Sequence, residues 1–333
     1  MAAARPVGQG RGVNLIPRDR RLRDLAMLLG MALALAAAFF AFPDNLAFAT
    51  RVIIMMIFVL SLDFVLGVAG ISTLGHSALF GAGAYAAGLC AAHGWNEPLL
   101  GVIAGAAAAA FVALLSGLFL MRTRGLTLLM LTIAVTEVLG ELANKFSDIT
   151  GGADGLDIVM GPILGVFKFD FRGQVGFVYA ACVLLVVFAF LRILLASPFG
   201  LAARGVKESP ARMRAIGAPV YWRLVLIYAI GGALAGIAGA LSAQSTSLVS
   251  PAVFDFQLSA NALIMLILGG AGRLYGALFG TLVFMSVHEV AASVDPFNWL
   301  FIIGALLLAV VYVAPAGLLS LPDLVKRQLR FSR

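Results

Sequence analysis

The chain has little charge and few of the residues that make reactive centres. Only 12% of its 333 residues are Asp, Glu, Lys or Arg, where a soluble domain has about a quarter. Too few charges exist to cover the surface of a water-soluble enzyme, and that class is excluded. Disorder is excluded by the same scarcity. There are two cysteines, Cys90 and Cys182, each inside an apolar run. They cannot build a disulfide framework or a zinc cluster. Three histidines, His76, His93 and His288, leave a metal site unexpected. No phosphate loop of the form G-x-x-x-x-G-K-[ST] occurs, His288-Glu289 lacks a second His four residues on, and no G-x-S-x-G elbow is present. No catalytic residue is assigned.

What the chain does have is apolar sequence, 62% of it, in stretches near the length that crosses a bilayer. Ten segments stand out, at about 25–42, 51–70, 71–92, 98–121, 125–143, 175–192, 222–245, 257–271, 274–292 and 297–314. The expected fold is therefore all-α, a polytopic membrane protein with about ten spans. Segments 71–92 and 257–271 are short or Gly-broken, as half-helices and re-entrant pieces buried by protein would be. The first segment lacks a small-residue cleavage site and reads as a retained helix, not a signal peptide.

Charge placement gives an orientation. With the N-terminus inside and alternating spans, nineteen of the twenty-three basic residues fall inside, leaving Arg51, Lys145, Lys168 and Arg172 outside. That bias fits the positive-inside rule, with both termini in the cytoplasm. Residues 1–24 form a basic cytoplasmic segment, 25–314 the membrane domain and 315–333 a basic cytoplasmic tail. The net charge of +7 reads as orientation and contact with membrane lipid, not nucleic-acid binding.

Two connections are long, an external one at 144–174 and a basic cytoplasmic one at 193–221. In the latter, Ser209-Pro210 is an N-cap and first-turn pair, and Gly217 is a stop. A helix of about two turns lies between them. Met213 and Ile216 share a face, flanked by Arg212 and Arg214. Such a short helix needs support from the membrane domain or a partner. Two readings stand: a docking helix for a cytoplasmic motor, or a basic loop resting on lipid headgroups.

Polar residues inside apolar spans mark pathways or packing. Glu137 and Glu141 sit four apart on one helix face, and Asp63 lies in the second span. His76 opens a Gly-rich segment and is either a pathway anchor or a packing residue bonded to a carbonyl. Thr150-Gly151-Gly152, with Gly155, forms an external turn that serves as a gate, a partner contact or a simple loop. Gly269-Gly270 and Gly272 read as a cytoplasmic turn. The small residues Gly231, Gly232, Ala233, Gly236, Gly239 and Ala240 suit tight packing against another subunit.

Five stretches, in order, resemble LivM-type permeases of branched-chain amino acid ABC importers. They are Ser72 to Tyr85, Arg124 through Thr132 and Glu137 to Leu156, Arg204 to Ala243, Leu268 to Gly276, and Pro315 to Leu318. Together they span most of residues 50–320. The resemblance implies a permease subunit in the bacterial inner membrane, paired with a LivH-like sister. It also implies two cytoplasmic ABC ATPases, which hold the ATP and magnesium, and a periplasmic substrate-binding protein. No cofactor is expected on this chain. The family's coupling loop maps onto Arg204, Lys207, Glu208, Arg212, Met213, Arg214, Ile216 and Gly217. Gly140 and Glu141 stand where the family often has Arg, and Pro210 is unusual within the loop. Urea and short-chain amide permeases share this framework. An ion-coupled carrier using Asp63, Glu137 and Glu141 is the alternative of a different class.

Overall fold

The computed structural model describes residues 18–159, 161, 162 and 173–294, and beyond them only 301, 304, 305, 308 and 312, with side chains from Ala26 onward. Residues 1–17, Lys168, Arg172, most of the expected span 297–314 and the tail 315–333 lie outside the described residues. Pro315 to Leu318 falls in that tail.

The chain is helical, as its apolar runs predict. In order come α1 (Arg18–Ala41), α2 (Leu46–Leu62, prolonged by a π-turn over Asp63–Val68), α3 (Ser77–Ala92), α4 (Pro98–Leu120), α5 (Leu126–Lys145) and the one-turn α6 (Ser147–Thr150). Then follow α7 (Gln174–Ala196), α8 (Pro198–Glu208), α9 (Pro210–Ala215), α10 (Val220–Thr246), α11 (Phe256–Gly269) and α12 (Leu274–Val294). A two-residue antiparallel pair, β1 (Leu156–Asp157) and β2 (Leu248–Val249), joins Leu156 to Val249 and Asp157 to Leu248. Among the described residues, six helices are long and apolar enough to cross a membrane, and Ala26–Ala41, α3 and α11 are shorter apolar helices.

Prolines and capping residues set several starts. Pro98, Pro198 and Pro210 each open a helix at a position where a missing N–H costs nothing. α2 is apolar on all sides because it is central: 78% of its most apolar window is buried, against 22% for α4 and α5. Around it pack α7, α10, α11 and α12.

The tightest packing joins α3, α4 and α10, and small residues make it possible. A Cβ at Gly83 would lie 2.3 Å from Gly236 Cα, and one at Gly239 would lie 1.9 Å from Phe80 O. Gly105 is equally enclosed, 2.8 Å from Gly83 O by the same measure. Backbones in contact maximise dispersion where apolar side chains gain nothing by leaving lipid.

Three expectations need correction. The small residues of 231–240, expected against another subunit, pack inside this chain: Gly236 faces Ala109 and Gly105, and Gly239 faces Phe80. The segment expected as a span over 71–92 is helical only from Ser77, because the π-turn closes at Gly70, which has φ +74°. The connection expected over 193–221 is largely helical: α7 runs on to Ala196, and α8 fills most of what read as a loop.

The molecule has two polar ends. One carries β1, β2 and the contact of Gly161 N–H with Asn96 O at 2.9 Å. The other carries α8, α9 and the α11–α12 turn. α3 runs towards the first end and α11 towards the second. At 1.5 Å per residue they are about 24 Å and about 21 Å long, short of the ~30 Å hydrocarbon core. Both begin part-way through the molecule, and their first turns touch.

Candidate functional site

The α8–α9 hairpin is built as its sequence predicts. Ser209 Oγ accepts from Arg212 N–H at 3.3 Å, and Gly217 takes φ +81° beyond the last turn. Met213 packs on α8, where a Cβ at Gly205 would lie 2.9 Å from its sulfur. Ile216 does not share that contact and is 73% exposed. Arg204, Glu208, Arg212 and Arg214 are exposed as well. The hairpin thus folds on itself through Met213 and Gly205, and presents Ile216 among arginines.

Lys207 points the other way. Its Nζ donates to Gly67 O at 2.5 Å, inside the π-turn of α2. Its stem rests on Gly70, where a Cβ would lie 2.9 Å from Lys207 Cγ. Next to it, the fully buried Asp63 accepts from Gly272 N–H at 2.6 Å. Gly67 has no room for a side chain, since a Cβ would fall 2.0 Å from Asp63 Oδ1 and 2.5 Å from Gly272 N. Three elements therefore meet here: α8, the π-turn and the α11–α12 turn.

From this bracket, residues 69–76 run unwound into the interior. Gly70 N–H and Ile71 N–H bond to Leu66 O and Val65 O, both at 3.1 Å, and Leu74 N–H reaches Thr132 Oγ1 of α5 at 3.3 Å. Gly75 lies against α5, 2.0 Å from Thr132 O for a notional Cβ. Unwound backbone at membrane depth is tolerated when protein satisfies it in this way.

The segment ends at His76, which is fully buried, stacks on Phe58 with ring centroids 5.4 Å apart, and shares a 2.8 Å hydrogen bond between Nε2 and Ser61 Oγ. Its Nδ1 has no partner among the described residues. Ser77 N–H donates to Ser259 Oγ at 2.8 Å, and the Ser259 hydroxyl donates to Ser77 Oγ at 2.9 Å. The first turns of α3 and α11 are thereby joined.

Glu137 and Glu141 belong elsewhere. Both are exposed on one face of α5 and, with Asn144 and Lys145, line a shallow hollow of 630 Å³. The structure does not bring Asp63 or His76 to this face. At the same end, Thr150 Oγ1 donates to Ala143 O at 2.5 Å and to Phe146 O at 2.8 Å. Gly151 has φ +76°, and a Cβ there would lie 2.0 Å from Gly155 O. Gly152 is buried with φ +60°. This turn is fastened to the end of α5 and, through β1, to β2. Among the described residues, no three His, Cys, Asp or Glu side chains gather as a metal site would need.

The sequence did not point to Ser61 or Ser259, and Thr132 stood out only as part of a stretch that resembles the family. Ser77 lay within a motif singled out for its histidine. Ser259 carried no local signal, since its partner is 182 residues away.

These features define a polytopic helical membrane protein with a preformed, exposed hairpin at one end and broken helices inside. Residues 45–311 match the family described as branched-chain amino acid transport system / permease component, and the chain belongs to that family. It is similar to the high-affinity branched-chain amino acid transport system permease protein LivM of Salmonella typhimurium, 27% identical over 90% of this chain and 75% of that protein. LivM of Escherichia coli K12 is 28% identical over the same shares. The LivH permease protein of E. coli K12 is 28% identical over 39% of this chain and 42% of that protein. No solved structure matches the chain.

Proposed function

We propose that this chain is one of two different permease subunits of an ATP-driven importer, carrying branched-chain amino acids inward across the bacterial inner membrane. A LivH-like sister completes the pathway. Two cytoplasmic ABC ATPases bind ATP and magnesium, and a periplasmic binding protein delivers the substrate. This chain catalyses nothing and binds no cofactor. The α8–α9 end faces the cytoplasm, both termini lie on that side, and about ten spans cross the bilayer.

The observation that carries this reading is the hairpin. An isolated helix as short as α9 would not hold in water; here Met213 and the Ser209 cap hold it. It then leaves Ile216, 73% exposed, at its tip beside Arg212 and Arg214. An apolar anchor ringed by charge suits a partner groove. The exposed carboxylates of α5 supply the second feature. A membrane helix does not leave Glu137 and Glu141 in lipid, so this face lines the pathway, where a carboxylate meets the substrate ammonium in passing. The branched-chain amino acid assignment rests on the likeness to the LivM permeases and on the family's description. Asp63 is tied to Gly272 N–H and does not line the hollow beside Glu137 and Glu141, which speaks against one ion-coupling site built from all three.

Purification with the neighbouring subunits tests the assignment. The expected result is two ATPases retained, and leucine, isoleucine or valine uptake that needs both ATP and the binding protein. Concentrative uptake by this chain alone, without nucleotide, overturns it. Titrating the binding protein with leucine, isoleucine, valine and urea separates amino acids from urea or amides.

A further inference from the structure

We infer that Lys207 is a positioning residue that couples the α8–α9 hairpin to the contact between the two broken helices, an inference that rests on the importer reading. Among the described residues, Lys207 is the charged side chain of the hairpin that hydrogen-bonds into another element. The bonds closing the π-turn go to Val65 O and Leu66 O, and Gly67 O is taken by the Lys207 ammonium. Gly67 in turn lies against the Asp63 carboxyl, where a Cβ would fall 2.0 Å from Oδ1, and that oxygen holds Gly272 N–H. A Cβ at Gly272 would lie 3.1 Å from Gly67 O and 4.0 Å from Lys207 Nζ, so the α11–α12 turn abuts the same point.

Each arm leads to the same place. From Gly67 the chain runs through the unwound 69–76 segment to His76 and Ser77. From Gly272 it runs back along the rigid helix α11 to Ser259. Those two ends are the partners in the Ser77–Ser259 hydrogen bonds. Movement of the hairpin is therefore delivered to both sides of the α3–α11 junction through one side chain. Room for movement exists: a hollow of 180 Å³ lies beside the bracket, lined in part by Ile71, Ser72, Arg124, Val206 and Pro210. Discrete rearrangement of packed elements, driven by a partner's differential contact, is how such coupling is carried.

The test compares transport with ATP hydrolysis in the full assembly, reconstituted with its binding protein. Lys207→Met keeps the apolar stem and removes the donor. The expected result is retained ATPases, hydrolysis near the wild-type rate, and about fivefold less amino acid moved per ATP than in the wild type, the low end of ordinary coupling factors. Lys207→Arg should recover part of the ratio. Gly70→Ala is the second variant, decisive if Lys207→Met does not assemble, because it keeps the ammonium but displaces the stem; its ratio should fall too. An unchanged ratio overturns the inference. So does loss of the ATPases from the Lys207→Met assembly, which makes Lys207 a docking residue, or a parallel fall in hydrolysis and transport. Failure of the importer reading shows separately, in a wild-type assembly that retains no ATPase or transports without ATP.

Discussion

Ser77 and Ser259, 182 residues apart, hold together the first turns of two helices that run towards opposite ends of the molecule. Each helix starts with backbone N–H groups that lack an intrahelical acceptor. Ser259 Oγ satisfies the one on Ser77 at a fully enclosed point, and Ser259 itself is 2% exposed. The contact thus caps the start of α3 and ties it to the first turn of α11, whose own start is capped by Asp255 Oδ1 accepting from Gln257 N–H.

Ser259→Ala should strand the Ser77 N–H without a partner. Leaving a buried donor unsatisfied costs about 1–3 kcal/mol. Thermal unfolding in detergent should register the loss, and Ser259→Thr, which keeps a hydroxyl, should restore most of it. An alanine variant that unfolds at the wild-type temperature would show that water or another acceptor replaces the serine.

The α3–α4–α10 contact makes a stronger demand. Gly239→Ala places a methyl group 1.9 Å from Phe80 O, and the obstacle is backbone, which cannot rotate aside. Overpacking typically costs about 1–3 kcal/mol, and a backbone collision belongs at or above the upper end. The yield of monodisperse protein on size exclusion should drop sharply. Gly140→Ala is the contrasting case: its Cβ would sit 3.5 Å from Phe254 Cβ, an ordinary contact. Ala exceeds Gly in helix propensity by up to about 1 kcal/mol, so this variant should match or exceed the wild type.

The sequence revealed features whose causes are local. The Ser209-Pro210 start and Gly217 stop of α9 are written in adjacent residues, and the structure forms them as expected. The apolar runs located the long helices because span length and hydropathy are both one-dimensional. Asp63 shows where that legibility ends. Its partner is the backbone N–H of Gly272, and a backbone donor has no residue type to read. The π-turn is hidden for a similar reason, because in Asp63–Val68 only Asp63 and Gly67 depart from an apolar helix, and glycine is common in membrane helices. The helix α8 reads as connection in the sequence because Gly200, Gly205 and the charges obscure an amphipathic turn that buries Gly200, Ala203 and Val206.

Glu137→Gln with Glu141→Gln should separate transport from stability. Both side chains are exposed, and exposed substitutions usually shift stability by less than about 0.5 kcal/mol. A transient ammonium–carboxylate contact at such a position is worth up to about 1 kcal/mol, or roughly fivefold in rate. Uptake by the assembled importer should fall by that order, with the melting temperature and ATPase retention unchanged. Wild-type uptake in the double variant would remove these carboxylates from the pathway.

Ile216→Asp asks whether the hairpin tip enters a protein groove. Burying an isoleucine contributes about 1.5–3 kcal/mol, and aspartate would bring an unpaired charge into the same place. ATPase retention should weaken by roughly tenfold or more, while the melting temperature of the isolated chain stays put, since Ile216 is 73% exposed within it. Met213→Ala should behave differently. Met213 fastens α9 to α8 at Gly205, so its loss should loosen the hairpin and weaken retention together. Arg212→Ala adds an electrostatic arm, with retention expected to become less sensitive to salt as a charge is removed from the interface. If Ile216→Asp keeps its ATPases through the same salt washes as the wild type, the hairpin lies on lipid headgroups, and another surface must receive the motor.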